Sequence, residues 1–167
     1  MAVKRIRLLG DPVLRTHCTR IRFPLGRAEQ RLIIDLRDTL RDFRTRRGFG
    51  RGIAAPQIGI TKRVIYISSL GAMINPRIVV RSRATFTLWD DCFSFPELLV
   101  KVKRNKKIVV EFYDEDGVRQ TLVAKNDLAE LLQHEIDHLN GVLAIDRALN
   151  STYIILRDEY RHPVKKF

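Results

Sequence analysis

Cysteine is nearly missing from these 167 residues: there are two, Cys18 and Cys92. Two cysteines without framework spacing exclude a disulfide scaffold and fit a reducing compartment. No apolar run is long enough to span a bilayer, so no membrane partner is expected. The opening stretch Met1-Ala2-Val3-Lys4-Arg5 lacks the apolar segment of a secretory signal, and a cytoplasmic protein is expected. Internal repeats and low-complexity linkers are absent, and the length suits one domain, 1–167, with a real core. Asn150-Ser151-Thr152 has the form of a glycosylation acceptor, but in a cytoplasmic chain it reads as a turn or helix-start signal. Acidic residues are scarce at one end. Residues 1–60 carry 14 Lys/Arg against 5 Asp/Glu, residues 121–167 carry 6 against 7, and the whole chain has a net charge of +12. The densest basic stretch is Arg41-Asp42-Phe43-Arg44-Thr45-Arg46-Arg47. A basic surface of this kind holds phosphate backbones in a salt-sensitive way. The plainer alternative is a solvated helix face that binds nothing.

What the chain does have is His134-Glu135-Ile136-Asp137-His138. The segment from Asn126 to Asn140 reads as a helix, and side chains at i and i+4 share a helical face. Both imidazoles then point at one metal ion, with Glu135 beside them to handle a proton. Two ligands leave a metal short of coordination. A metzincin would place a histidine at position 144, which is Ala144, and that reading fails. Glu159 is a second candidate for the third ligand, in the manner of a glutamate-ligand metalloprotease. Cys92 is a third, because a thiolate suits zinc or iron.

Gly50-Arg51-Gly52-Ile53-Ala54-Ala55-Pro56-Gln57 resembles the G-x-G-x-A-A-x-Q motif of the peptide deformylases. Cys92-Phe93-Ser94 resembles the core of that family's second motif, E-G-C-L-S, and Gln133–Leu139 resembles its third, Q-H-E-x-D-H-L. The three occur in the family's order, and the likeness runs from Gly10-Asp11-Pro12 to Gly141-Val142-Leu143. The resemblance implies a metal-dependent hydrolase that removes the formyl group from N-formylmethionyl peptides during protein biosynthesis. It implies one divalent ion, Fe(II) or Zn(II) with nickel or cobalt as substitutes, held by Cys92, His134 and His138. Glu135 would be the proton-handling residue, and Gln57 with the backbone N–H of Phe93 the oxyanion hole. Arg104 matches an arginine often kept on the strand after motif two.

Some positions depart from the family pattern. Asp90-Asp91 stands where the family has Glu-Gly, Phe93 replaces a leucine, and Arg51 replaces an apolar residue between the two glycines. Glu130 stands where many members have an apolar residue or an arginine. Gly50, Arg51, Gly52, Asp90 and Asp91 are therefore expected to shape the substrate pocket, either pairing their charges or admitting a polar side chain. Two further alternatives are a deformylase-like amidase with altered preference and a basic RNA- or ribosome-binding domain. In the latter, His17 and Cys18 would help close a structural zinc site.

The layout reads as α+β: mixed or antiparallel strands packed around a central metal-binding helix. Ala28–Arg46 is an expected helix with an apolar stripe at Leu32, Ile33, Leu36, Leu40 and Phe43. Strands are expected at Val64–Ile67, Ile78–Val80, Leu98–Lys103, Lys107–Tyr113 and Val118–Ala124. Asn126 or Asp127 is the expected cap of the metal helix, and Gly141 its end. A last helix is expected over Thr152–Tyr160, followed by a basic tail, Arg161–Phe167.

Overall fold

The structure is a computed structural model that describes residues 3–160. It is α+β. Two helices, α1 (Arg27–Arg47) and α2 (Asn126–Leu139), flank strands β1 (Gly52–Ala54), β2 (Val64–Ile67), β3 (Gly71–Arg81), β4 (Thr85–Asp91), β5 (Leu98–Asn105), β6 (Lys107–Tyr113), β7 (Arg119–Lys125) and β8 (Ile154–Leu156). A five-stranded sheet runs in the order β1-β2-β3-β6-β7, and a three-stranded sheet in the order β4-β5-β8. Every named strand pair is antiparallel.

The helices lie on opposite faces of the larger sheet, and β2 records this residue by residue. Val64 and Tyr66 pack with Leu36, Leu40 and Phe43 of α1. Ile65 and Ile67 pack with Leu132, Ile136 and Leu139 of α2. A strand covered on both faces has no solvent side, so its sequence, Val-Ile-Tyr-Ile, is apolar without alternation. The apolar stripe expected on α1 is the one that is buried.

Helix α2 is buried from Ala129 through Leu139. Its apolar side chains face the sheet, while Glu130, His134 and His138 recur at i, i+4 and i+8 on another face. Gln133 staples the helix to the end of β5. Its Oε1 accepts from the Asn105 N–H at 3.0 Å, and its Nε2 donates to the Asn105 carbonyl at 3.0 Å. The N-cap is Lys125, with no side-chain cap bond, so neither Asn126 nor Asp127 fills that role. The helix begins instead where β7 runs directly into it, fixed by the Asn126 N–H to Lys106 carbonyl bond of 2.8 Å. Gly141, at φ 71°, follows the C-cap Asn140 as expected.

The last helix expected over Thr152–Tyr160 does not form. That stretch is a 3-10 turn (Ser151–Tyr153), then β8, then another 3-10 turn (Arg157–Glu159). Ile154-Ile155-Leu156 pairs with Leu98–Val100, because the free edge of β5 offers hydrogen bonds that a short isolated helix lacks. Asn150 does act as a local start signal: its side chain accepts from the Thr152 N–H at 3.0 Å. The basic tail lies outside the described residues.

Candidate metal centre and active-site cleft

Three buried donors converge between α2 and the turn after β4. Cys92 Sγ lies 3.3 Å from His138 Nε2, which lies 3.2 Å from His134 Nε2. The i, i+4 spacing on α2 supplies the two imidazoles, and the turn supplies the sulfur. Donors 2.0–2.1 Å (nitrogen) and 2.3 Å (sulfur) from one tetrahedral ion sit about 3.3 Å (N···N) and about 3.6 Å (S···N) apart. The observed separations match that spacing. The alternative suggested by the distances, a chain of hydrogen bonds, is poorer, since a neutral imidazole has only one N–H to give. The chemistry of this donor set fits one divalent metal ion.

Asp90 orients one of the imidazoles. Its Oδ2 lies 3.0 Å from His134 Nδ1 and 3.1 Å from Arg104 Nη2, and Arg104 Nη1 reaches Asp137 Oδ2 at 2.5 Å. Arg147 closes the row at 2.9 Å from Asp137 Oδ1. Burial disfavours a charge on either ring. At His138 it prevails and holds the ring well below its ordinary value, which suits a neutral ligand. At His134 the Asp90 carboxylate overrides burial and raises the ring well above it. With Nδ1–H donated to Asp90, His134 Nε2 would be the atom available to hold a divalent ion, whose positive charge would take the place of a proton on the ring.

Glu135 is 3% exposed, and its Oε2 has no hydrogen-bond partner among the described residues. Burial pushes its carboxyl up to about 7, in the range suited to passing a proton at neutral pH. Gln57 is equally enclosed. Its Oε1 accepts from the Ala54 N–H at 2.9 Å, which turns its Nε2 toward Cys92 Sγ, 3.5 Å away. The Phe93 N–H has no acceptor among the described residues. Glu135, Gln57 and Phe93 border a cleft of about 780 Å³, together with Cys92 and His134.

The comparisons with known proteins converge on one family. A sequence profile of polypeptide deformylase matches residues 3–152. The chain belongs to the peptide deformylase family. The peptide deformylase of Natranaerobius thermophilus is 37% identical over 166 residues, covering 97% of this chain and all of that one. The crystal structure of peptide deformylase from Thermotoga maritima superposes with a TM-score of 0.83 at 33% identity, over 90% of this chain and 100% of that one. A peptide deformylase from Legionella pneumophila gives 0.82 at 34% identity, over 91% and 89%.

Against that deformylase frame, the departures in sequence resolve into pairs. Arg51 Nη2 meets Glu130 Oε2 at 2.7 Å on the cleft wall. Asp91 meets Arg157 Nη2 at 3.0 Å at the rim. Asp90 also lines the cleft, with its carboxylate 4% exposed and engaged by His134 and Arg104, so that it holds the imidazole. Phe93 stacks on Phe43 of α1 with ring centroids 3.8 Å apart. A Cβ on Gly50, at φ 111°, would fall 2.2 Å from Phe93 Cζ. A Cβ on Gly52 would fall 2.8 Å from Glu135 Oε1. The first motif is therefore glycine-rich because an aromatic ring and an acid press against it.

The rival ligands are not at this site. Cys18 is buried in the core beside α2, and Glu159 is exposed on the last 3-10 turn. Among the described residues, neither they nor His17 belong to a group able to hold a metal ion. The structural-zinc and metalloprotease readings therefore fall away. Sequence reasoning did not find the part played by Asp137, which links Arg104 to Arg147. Its signal was a carboxylate inside the helix motif at a position with no ligand role.

Proposed function

We propose that this protein is a metal-dependent hydrolase that removes the N-formyl group from N-formylmethionyl peptides, the nascent chains of protein synthesis. The observation that carries the reading is the buried set Cys92, His134 and His138 with the unpartnered carboxylate of Glu135 beside it, at the head of a cleft. Cys92, His134 and His138 would hold the ion as Fe(II) or Zn(II), with nickel or cobalt as substitutes, since thiolate and imidazole suit all of these. When bound, the ion supplies Lewis acidity and a water acidified to near-neutral pH.

The remaining work falls to the chain. Glu135 Oε2 takes a proton from the attacking water and returns it to the leaving amine, so that formate and a free N-terminus are the products. Gln57 Nε2–H and the Phe93 N–H donate to the formyl oxygen as it gains charge, each worth about 3 kcal/mol in the transition state. Gly50 and Gly52 let the substrate backbone approach. Arg51, with Glu130, and Asp91, with Arg157, line its path.

We infer a cytoplasmic location close to ribosomal RNA, where nascent chains are made. Two free thiols and the +12 charge support that placement. The test is formate release from a formyl-Met tripeptide by protein purified without oxygen, with metal content measured on the same sample. One ion per chain and steady formate release are expected, and both should fall in Cys92→Ala. Full metal content without formate release would overturn the reading.

A further inference from the structure

Helix α1 carries a second feature that the hydrolase does not use. Arg37, Arg41 and Arg44 are exposed and lie at i, i+4 and i+7, on one face. With Thr45, and with Tyr66 and Ser68 across from them at β2, they line a groove of about 450 Å³. Among the described residues Arg37 pairs only with its neighbour Asp38, at 3.1 Å. Among the described residues, Arg41 and Arg44 have no acidic partner. The same helix does pair its arginines elsewhere: Arg31 with Asp35 at 3.1 Å, and Arg46 with Asp42, both at i, i+4. Like charges one helical turn apart repel one another along this face. The helix dipole compensates only in the last turn, which covers Arg44 but not Arg37 or Arg41.

We infer that this groove is a docking site for the phosphate backbone of RNA. The seven-residue span from Arg37 to Arg44 rises about 10 Å, too long for one small anion and suited to successive phosphates. The hydroxyls of Tyr66 and Ser68 add neutral donors of the kind that position a backbone, while the Thr45 hydroxyl is spent on the Arg41 carbonyl at 3.0 Å. The face offers no apolar anchor of the sort a protein partner needs, since Leu40 is buried at its floor. The site rests on the proposed function only for where RNA would be met, namely beside the nascent chain. Its binding is measured without reference to catalysis.

The experiment is fluorescence anisotropy with a labelled, unstructured 20-nucleotide RNA and the metal-loaded enzyme, across a salt series. Two variants remove equal charge: R37Q/R41Q/R44Q in the groove, and R81Q/R83Q/K106Q on exposed positions elsewhere. Each lost phosphate contact should flatten the log K against log salt slope by about 0.7, so the groove variant should lose about 2 units of slope and at least about tenfold in affinity. The control variant should keep the slope and most of the affinity. Equal loss in both variants would overturn the site, and so would polyglutamate competing as well as RNA. Formate release from a free formyl-Met tripeptide, read in parallel, should be unchanged in the groove variant. Wild-type protein that binds RNA but releases no formate would defeat the hydrolase reading and leave the groove standing; the reverse result would do the opposite.

Discussion

Arg51 and Glu130 form an ion pair of 2.7 Å across the gap between the first motif and helix α2, with the carboxylate almost wholly buried and the guanidinium about one-quarter exposed. Together they keep the cleft wall free of an unbalanced charge. Removing one member strands the other. Arg51→Ile should lower stability by about 1–3 kcal/mol, a figure reduced for the solvent on the arginine side. For a chain of this size that is a fall in Tm of several degrees. R51I/E130I should recover most of it. Additive losses in the double variant, read by thermal unfolding, would mean that the two side chains do not interact.

Glu135→Gln should keep its metal and lose at least about a hundredfold in kcat, the size of a general acid–base contribution. Elemental analysis and formate release on one preparation test both halves. Undiminished turnover would remove Glu135 from the mechanism.

Asp90→Asn leaves the shape of the site but takes away the charge that fixes His134. Partners of this kind are worth about 10–100-fold in metal affinity or activity. Competition against a chelator should show the loss directly. An affinity equal to wild type would make Asp90 a filler of space.

Gly52→Ala introduces a Cβ 2.8 Å from Glu135 Oε1 and 2.9 Å from Ile67 Cδ1. Glu135 must move, and displacement of a reacting group by about 1 Å can reduce rate about a hundredfold. The expected signature is a fall in kcat with metal content retained. Normal kcat would show that the acid tolerates the shift.

Cys18 provides a pH test away from the metal centre. Burial, opposed only in part by Arg63, raises its thiol to about 11. Alkylation followed by peptide mass analysis should therefore find Cys18 slow at pH 8 in the folded protein and fast in urea. The sign for stability follows. The folded chain holds this proton longer than the unfolded one, so Cys18 favours the folded state below about pH 9, and that support is lost as pH rises toward 11. A Cys18→Ala variant with the same alkaline stability profile as wild type would contradict it.

The metal helix and α1 were legible because each is long and periodic, and the histidine pair was legible because i, i+4 spacing fixes its own geometry; Cys92 stood level with Glu159 until the resemblance to the deformylases singled it out. Strands β1 and β8 escaped because three residues carry no period; pairing with neighbours decides them. Strand β4 escaped because Thr85–Asp91 mixes apolar and charged side chains with no turn signal before Asp91. The partners of Asp90 were hidden for a related reason. Its motif position marks only a charge beside the cleft, and strand alternation turns it to His134 and Arg104, and its neighbour Asp91 outward to Arg157.

Strand β2, enclosed by a helix on each face, has a kinetic consequence. Its amides at Ile65 and Ile67 sit where solvent reaches only when both helices lift away. Hydrogen exchange there should report the free energy of opening the whole fold, while the exposed edge at β7 exchanges through local fraying. Helix α2, which carries two of the three donors, rests on that same slow strand. The catalytic frame should therefore have the lifetime of the entire molecule, and deuterium labelling near His134 and His138 should lag behind nearly every other segment of the chain.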